Sequence, residues 1–238
     1  MSLLTNLVAY YKLDDLTDSS GNGHVLTNTG GVTFGAGLIG NSSNSGINNT
    51  TKMLSVTTDF GLTYASPFSV SCWVNFNTVL AGTNTSQFIW GMMFGTNPGT
   101  YHEVYQYGST PPALATGNGG LHLQPYPTLT TGVWYHVVNT VDQVNGISYI
   151  YFNGVNNGWN WGVFTGNYST YTGAFGLHGP GWTLAALSNT MIDEVGVWSR
   201  VLTPTEITQL YNAGAGLQYP FGITPSANTN KGFFAFFK

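Results

Sequence analysis

Polar and apolar positions alternate with a period of two along most of this chain, and the runs of alternation predict strands separated by turns. Residues 67–76 (PFSVSCWVNF) put Phe68, Val70, Cys72, Val74 and Phe76 on one face, and residues 132–142 (GVWYHVVNTVD) repeat the pattern. In residues 7–15 (LVAYYKLDD), Val8, Tyr10 and Lys12 alternate against Ala9, Tyr11 and Leu13. Residues 87–95 (QFIWGMMFG) are more continuously apolar, which predicts a strand covered on both faces. Residues 146–155 (GISYIYFNGV) end in Asn153-Gly154, the pair best suited to a two-residue hairpin with positive φ at both central positions. Shorter strands are expected within residues 31–58, and at YHEVYQY and LHLQ within residues 97–126.

The period changes once, near the end. MIDEVGVWSR (191–200) predicts a buried strand and a corner, and VLTPTEITQLY (201–211) predicts a helix. Thr203 can cap it, Pro204 suits its first position, Glu206 completes a capping box, and Leu202 and Ile207 form a hydrophobic staple. Ile207, Leu210 and Tyr211 then make one apolar stripe that needs a larger surface to lie on, and Gly214 or Gly216 ends the turn. No helical period precedes Thr203. The pattern is all-β: a single antiparallel two-sheet domain over residues 1–221 with one short C-terminal helix, followed by a tail over residues 222–238. The tail runs through a polar spacer into GFFAFFK, where Phe233, Phe234, Phe236 and Phe237 would be sticky if exposed. Docking of these residues onto a partner or a sheet edge is one expectation, and folding back onto the domain is the other.

Composition narrows the function classes. Charged residues make up 6% of the 238, against roughly a quarter in ordinary soluble proteins, so solubility must come from Asn, Ser and Thr. A net charge of −4 with five Lys plus Arg offers no basic patch for a phosphate backbone, which sets nucleic acid aside. No run approaches the ~18 apolar residues of a spanning helix, and the N-terminal stretch is too promptly polar for a signal peptide, so a soluble chain without visible export signal is expected. The single cysteine, Cys72, excludes an internal disulfide and reads as a core residue.

Candidate chemistry is sparse. LTDSSGNGHVLTNTGG (16–31) gathers oxygens in tight turns, and Asp18, Ser20, Asn22 and the carbonyl of His24 could hold a hard cation such as calcium; equally, Asp18 and Asn22 could form side-chain turns. Aromatic residues in loop-rich segments can face sugar rings: Tyr101, Tyr105, Tyr107, His122, Trp159, Trp161, His178 and Trp182 are the candidates, whereas Trp73, Trp134 and Trp198 read as core. Catalysis finds little support. Glu103 stands alone in its segment, and Asp193 and Glu194, being adjacent, face opposite sides of a regular strand. His102, His122, His136 and His178 lack zinc spacing, and neither a G-x-S-x-G elbow nor a phosphate loop is present.

The ordered set YYKLDDLTDSSGNGHVLTNTGG, LIGNSSNSG, FSVSCWVNF, GVWYHVVNTVD, YIYFNGV and IDEVGVWSRVLTPTEITQLYNAG resembles the laminin-G-like, concanavalin A-like lectin/glucanase superfamily over roughly residues 7–216. The resemblance implies a jelly-roll sandwich and a structural calcium, with Asp193 of the late IDE strand joining Asp18, Asn22 and His24 to pin the first loop to the last strand. The endoglucanases of this superfamily carry alternate acidic residues along one strand, a spacing not found here. The ending LTPTEITQLYNAGAGLQYPF is similar to modules of phage structural proteins. A non-catalytic, glycan-recognising module on a virion or cell surface is therefore the first expectation; a purely structural assembly protein docking through its tail, and then a glycoside hydrolase, are the alternatives.

Overall fold

A computed structural model describes residues 2–47, 49–63, 65–83, 85–94, 100–117, 121–124, 128–156, 173–179, 181 and 187–222, with backbone alone at 100, 101, 117 and 121–124. In chain order the strands are β1 (Leu7–Tyr11), β2 (Thr27–Thr29), β3 (Thr33–Ala36), β4 (Asn41–Asn44), β5 (Met53–Val56), β6 (Phe68–Phe76), β7 (Ser86–Phe94) and β8 (Thr100–Tyr107). They continue as β9 (Ala113–Gly117), β10 (Leu121–Gln124), β11 (Trp134–Asp142), β12 (Ile147–Phe152), β13 (Val155–Asn156), β14 (Ala174–Leu177) and β15 (Thr190–Trp198), before the helix α1 (Pro204–Tyr211). One antiparallel sheet runs β13-β12-β11-β6-β15-β4-β3 with β1 also on β15, and the other runs β10-β9-β8-β7-β14-β5-β2. The chain is thus a two-sheet sandwich, as the alternation predicts.

Period two explains the central core. Val70, Cys72 and Val74 of β6, Val137 of β11 and Val197 of β15 face Leu54, Trp90, Met92, Val104 and Phe175 of the other sheet in one buried cluster. The Asn153-Gly154 hairpin joins β12 to β13 with φ of 49° and 80°, the doubly left-handed turn that matches strand twist. Strands β9 and β14 and the polar strand β4 (NSSN) were not anticipated individually; Ser42 and Ser43 of β4 are buried because β15 pairs with this strand.

β15 departs from regular alternation in a way that positions everything outside the core. Ile192 and Val195 both lie in the inter-sheet cluster, although a regular strand would turn one of them outward. A bulge between Asp193 and Gly196 absorbs the difference, with Glu194 at φ 48°. Asp193 and Glu194 therefore share the outer face, contrary to the opposite-side reading of a regular strand. Gly196 is needed just beyond, since a Cβ there would lie 2.4 Å from the Trp198 ring.

A second apolar layer covers that outer face. Ile207 and Leu210 of α1 pack with Leu3, Val138, Tyr151, Trp198 and Leu202, and Leu217 and Phe221 join from the segment after the helix. Each of the two helical side chains contributes about 1.5–3 kcal/mol by its burial. Tyr211 stacks on Trp73 at 5.8 Å. Trp73 and Trp198 are thus buried as expected, but under the helix rather than between the sheets, and Trp134 is partly exposed. The capping box is present: Thr203 Oγ1 accepts from the Glu206 N–H, and the Glu206 carboxylate accepts from the Thr203 N–H. The helix stops earlier than predicted, because Asn212 takes the left-handed position and its side chain donates to Gly216 O at 2.7 Å.

Arg200 binds the corner. It donates to both Glu206 oxygens at 2.7 and 2.8 Å, and to Thr5 O and Ser2 O of the N-terminal segment. Burial works to raise the Glu206 carboxyl, but the Arg200 and Thr203 bonds outweigh it and hold the group down at about 2. Replacing Arg200 by Met leaves Glu206 buried without its cation and should lower unfolding stability by about 3 kcal/mol in urea titrations. An unchanged midpoint would show that the pair contributes nothing.

Candidate functional site

The outer face of the β15 sheet is closed by the chain itself. Asp193 Oδ2 accepts from the Leu38 and Ile39 N–H groups at 2.8 and 3.0 Å, and Oδ1 from the Glu194 N–H, so this carboxylate holds the turn between β3 and β4. Asp14 grips the far side of the same turn through the Asn41 N–H. Glu194 accepts from the Tyr10 hydroxyl and from Gln218 Nε2, which ties the segment after the helix onto β1. Phe221 then packs edge-on against Tyr10 at 5.1 Å and beside Trp198. Burial pushes the Asp193 carboxyl up to about 8 and the Glu194 carboxyl to about 7.

The four expected metal ligands do not assemble. Asp18 Oδ1 accepts from Tyr10 N–H, Ser20 N–H and Ser20 Oγ, and Oδ2 from His24 N–H. Those bonds outweigh burial and keep its carboxyl below the usual range. Asn22 donates to Leu7 O and Val8 O, while the His24 carbonyl accepts from the Tyr11 hydroxyl at 2.8 Å. N–H and O–H donors thus occupy the lone pairs a cation would need, and Asp193 serves a different loop. Among the described residues no group of three or more His, Cys, Asp or Glu could hold a metal. The arrangement fits side-chain turns rather than a cation cage.

The outer face of the other sheet is different. In β8, His102 and Val104 are buried toward the core, so Glu103, Tyr105 and Tyr107 alternate outward. Tyr105 lies opposite Phe88 of β7 and Ala115 of β9, its ring 5.7 Å from that of Phe88. Glu103 sits opposite Gly91 on one side and Gly117 on the other, and Gly91 in turn opposite Gly176 of β14. A row of positions without side chains therefore crosses four strands and is interrupted only by Glu103. Backbone at Gly181 folds over Gly176, where a Cβ would lie 2.4 Å from it. Burial pushes the Glu103 carboxyl up to about 7.

The expected ligand residues divide. Tyr105 and Tyr107 share this face, although Tyr105 is only 6% exposed. Tyr101 and His122 lie on β8 and β10, with their side chains outside the described residues, as are Trp159, Trp161 and Trp182. His178 is a correction. It is fully buried, with Nε2 on Ser43 Oγ and Nδ1 on Thr190 Oγ1, and burial pushes it down to about 3, so it braces the strands and meets no ligand. Phe88 and Glu103 were not assigned to a binding site from the sequence, yet Glu103 shares the period-two face of Tyr105 and could have been found that way. Phe233, Phe234, Phe236 and Phe237 lie outside the described residues.

Residues 41–208 match the family described as the concanavalin A-like lectin/glucanases superfamily. No curated protein matches the sequence. Among solved structures, domain 4 of the extracellular arabinanase AbnA from Geobacillus stearothermophilus, in complex with arabinotriose, is similar at 23% identity and TM-score 0.64, over 85% of this chain and 97% of that one. The receptor binding domain of botulinum neurotoxin C/D mosaic serotype is similar at 13% identity and TM-score 0.65, over 88% of this chain and 52% of that one. Trypanosoma rangeli sialidase in complex with sialic acid is similar at 16% identity and TM-score 0.63, over 89% of this chain. The chain spans about half of the toxin domain and 34% of the sialidase, and at these identities the likeness is one of fold.

Two outcomes follow from the closed face. Above pH 6.5 His136 and His178, held neutral in the fold, are neutral in the unfolded chain too. Asp193 and Glu194 titrate near pH 4 when unfolded but at about 8 and 7 when folded, and Glu103 acts in the same sense. Their stabilising protonation is complete below the unfolded range and is lost as pH rises through the folded values. Between about pH 6.5 and 8 the thermal midpoint should fall as Asp193 ionises, and less steeply in Asp193→Asn; identical slopes would contradict this origin. Calcium and a chelator should leave the midpoint of the wild type unchanged, and a rise with calcium would mean that the first loop rearranges around the ion.

Proposed function

We propose, from the premise that the chain belongs to the concanavalin A-like lectin/glucanases superfamily, that it is a non-catalytic module that binds glycans on the outer face of the β7–β8–β9 sheet and is displayed on a virion or cell surface. The observation that carries this reading is the asymmetry of the sandwich. α1 and residues 217–222 cover the one outer face, whereas on the other Phe88, Glu103 and Tyr107 are partly exposed around the buried Met93, Tyr105, Ala113 and Ala115. Partly exposed aromatic rings beside a carboxyl suit a sugar, which offers C–H faces and hydroxyls together. The saccharide-bound arabinanase domain of similar fold supports the same class of ligand, and a charged fraction of 6% suits a polar but weakly charged exposed surface.

The placement of the acids supports the non-catalytic part of this reading. A glycoside hydrolase needs two carboxyl groups roughly 5–9.5 Å apart across one cleft. All nine Asp and Glu residues are described, and Glu103 alone lies on this face. Asp14, Asp15 and Asp18 belong to the first loop, Asp59 to the turn after β5, Asp142 to the end of β11, Asp193 and Glu194 to the closed face and Glu206 to α1. A glycan array should give specific binding without hydrolysis of the bound saccharide. Phe88→Ala should weaken that binding by about tenfold or more with the fold intact. A folded protein that binds no saccharide would overturn the reading and favour a purely structural role.

A further inference from the structure

Tyr10 carries one hydroxyl proton and faces two acceptors. The hydroxyl donates to Glu194 Oε2, and Leu217 O also lies within its reach at 3.4 Å. Glu194 belongs to β15, Tyr10 to β1 and Leu217 to the segment after the helix, so this one group joins three parts of the closed face. Gln218 Nε2 donates to the other carboxyl oxygen, Glu194 Oε1, at 2.6 Å, and the Tyr219 N–H bonds the Tyr10 oxygen. The polar ties of residues 217–219 to β1 and β15 thus meet at one buried carboxyl and one buried hydroxyl. Aromatic contact completes the closure: the Phe221 ring lies 5.1 Å from Tyr10 and 6.1 Å from Trp198, and the Tyr219 ring 5.6 Å from Tyr10.

The direction of these bonds depends on the Glu194 proton. An ionised carboxylate only accepts, so it takes the Tyr10 hydroxyl and the Gln218 amide together, and Leu217 O loses the Tyr10 proton. In the protonated form Oε1 still accepts from Gln218, which puts the proton on Oε2; it is donated to the Tyr10 oxygen, and the Tyr10 proton turns to Leu217 O. We infer that residues 217–222 form a proton-controlled strap, closed while protonated Glu194 relays through Tyr10 to Leu217 O and loosened when the ionised carboxylate keeps the Tyr10 proton for itself. Loosening uncovers Tyr10 and Trp198, both buried beneath the strap, and hydrates Glu194. Burial acts in the same sense: it holds the carboxyl at about 7 in the closed form, and hydration returns it toward the ordinary range, so the closure is lost as pH rises through about 7. Lys12 favours the ionised form and Asp14 opposes it; Asp193 on β15 ionises higher, at about 8, and Tyr10 and Tyr219 are the other titratable neighbours.

Hydrogen–deuterium exchange of the full chain across this pH range, with rates corrected for their intrinsic pH dependence, tests the strap by reading residues 217–222. Between about pH 5.5 and 8 their protection in the wild type should fall by about tenfold or more. The midpoint of the fall, near 7 and not near the Asp193 value of about 8, identifies Glu194 without any substitution. Glu194→Gln imitates the protonated form, because its amide can donate to the Tyr10 oxygen, and its protection should stay high and flat. Tyr10→Phe breaks the relay and should lower protection at the acid end toward the level that the wild type reaches at the alkaline end. Near-ultraviolet circular dichroism checks that both variants fold, and a variant that does not leaves the decision to the wild-type midpoint and the other variant. Wild-type protection that does not change with pH, a fall of equal size in Glu194→Gln, or unaltered protection in Tyr10→Phe overturns the inference.

Discussion

The bulge in β15 is the constraint on which the rest of this molecule depends. Because Ile192 and Val195 both enter the core, two adjacent carboxylates emerge together on the outer face, and neither is driven between the sheets. Asp193 then organises the turn between β3 and β4, and Glu194 takes the Tyr10 hydroxyl and Gln218. With regular alternation one of the two would face the central cluster without donors, at a penalty of several kcal/mol. The strain of a non-glycine residue at φ 48° is small beside that.

From this point the covering of one face propagates. Glu194 and Tyr10 anchor residues 217–222, which extend the apolar layer begun by α1, and Arg200 ties the helix start to the N-terminal segment. The N-terminal segment and residues 217–222 therefore seal the same side of the sandwich. On the other outer face the same chemistry appears in reverse. Asp193, at about 8, is surrounded by N–H groups that stabilise its ionised form when it titrates, while Glu103, at about 7, has no described donor at all. Two carboxyls raised by burial thus differ in what surrounds them.

Much of this was legible in the sequence. Phe68, Val70, Cys72, Val74 and Phe76 share the core face that their alternation predicts, and the start of α1 follows from Leu202, Thr203, Pro204, Glu206 and Ile207. What failed was local. A bulge leaves no mark in a period-two pattern, so Asp193 and Glu194 read as opposed when they are side by side. His178 read as a loop aromatic because β14 is short and glycine-rich, yet pairing with β5 and β7 buries it among Ser43 and Thr190. Asp18 illustrates a third limit: an oxygen-rich loop has the composition of a cation site, but only the direction of the donors tells that its carboxylate is already in use. Trp73 and Trp198 were correctly buried but assigned to the wrong layer, since period does not say which side of a sheet a helix will cover.

The central claim is that one face is sealed and the opposite face binds. Hydrogen–deuterium exchange of the full chain, with and without a saturating glycan selected by array, tests it directly by reading each strand separately. Added protection confined to β7, β8 and β9, with Met191–Trp198 and residues 217–222 unchanged, is the expected result. Protection that appears instead along β15 and β1, or release of residues 217–222 on binding, would place the ligand on the face the chain closes and contradict the claim.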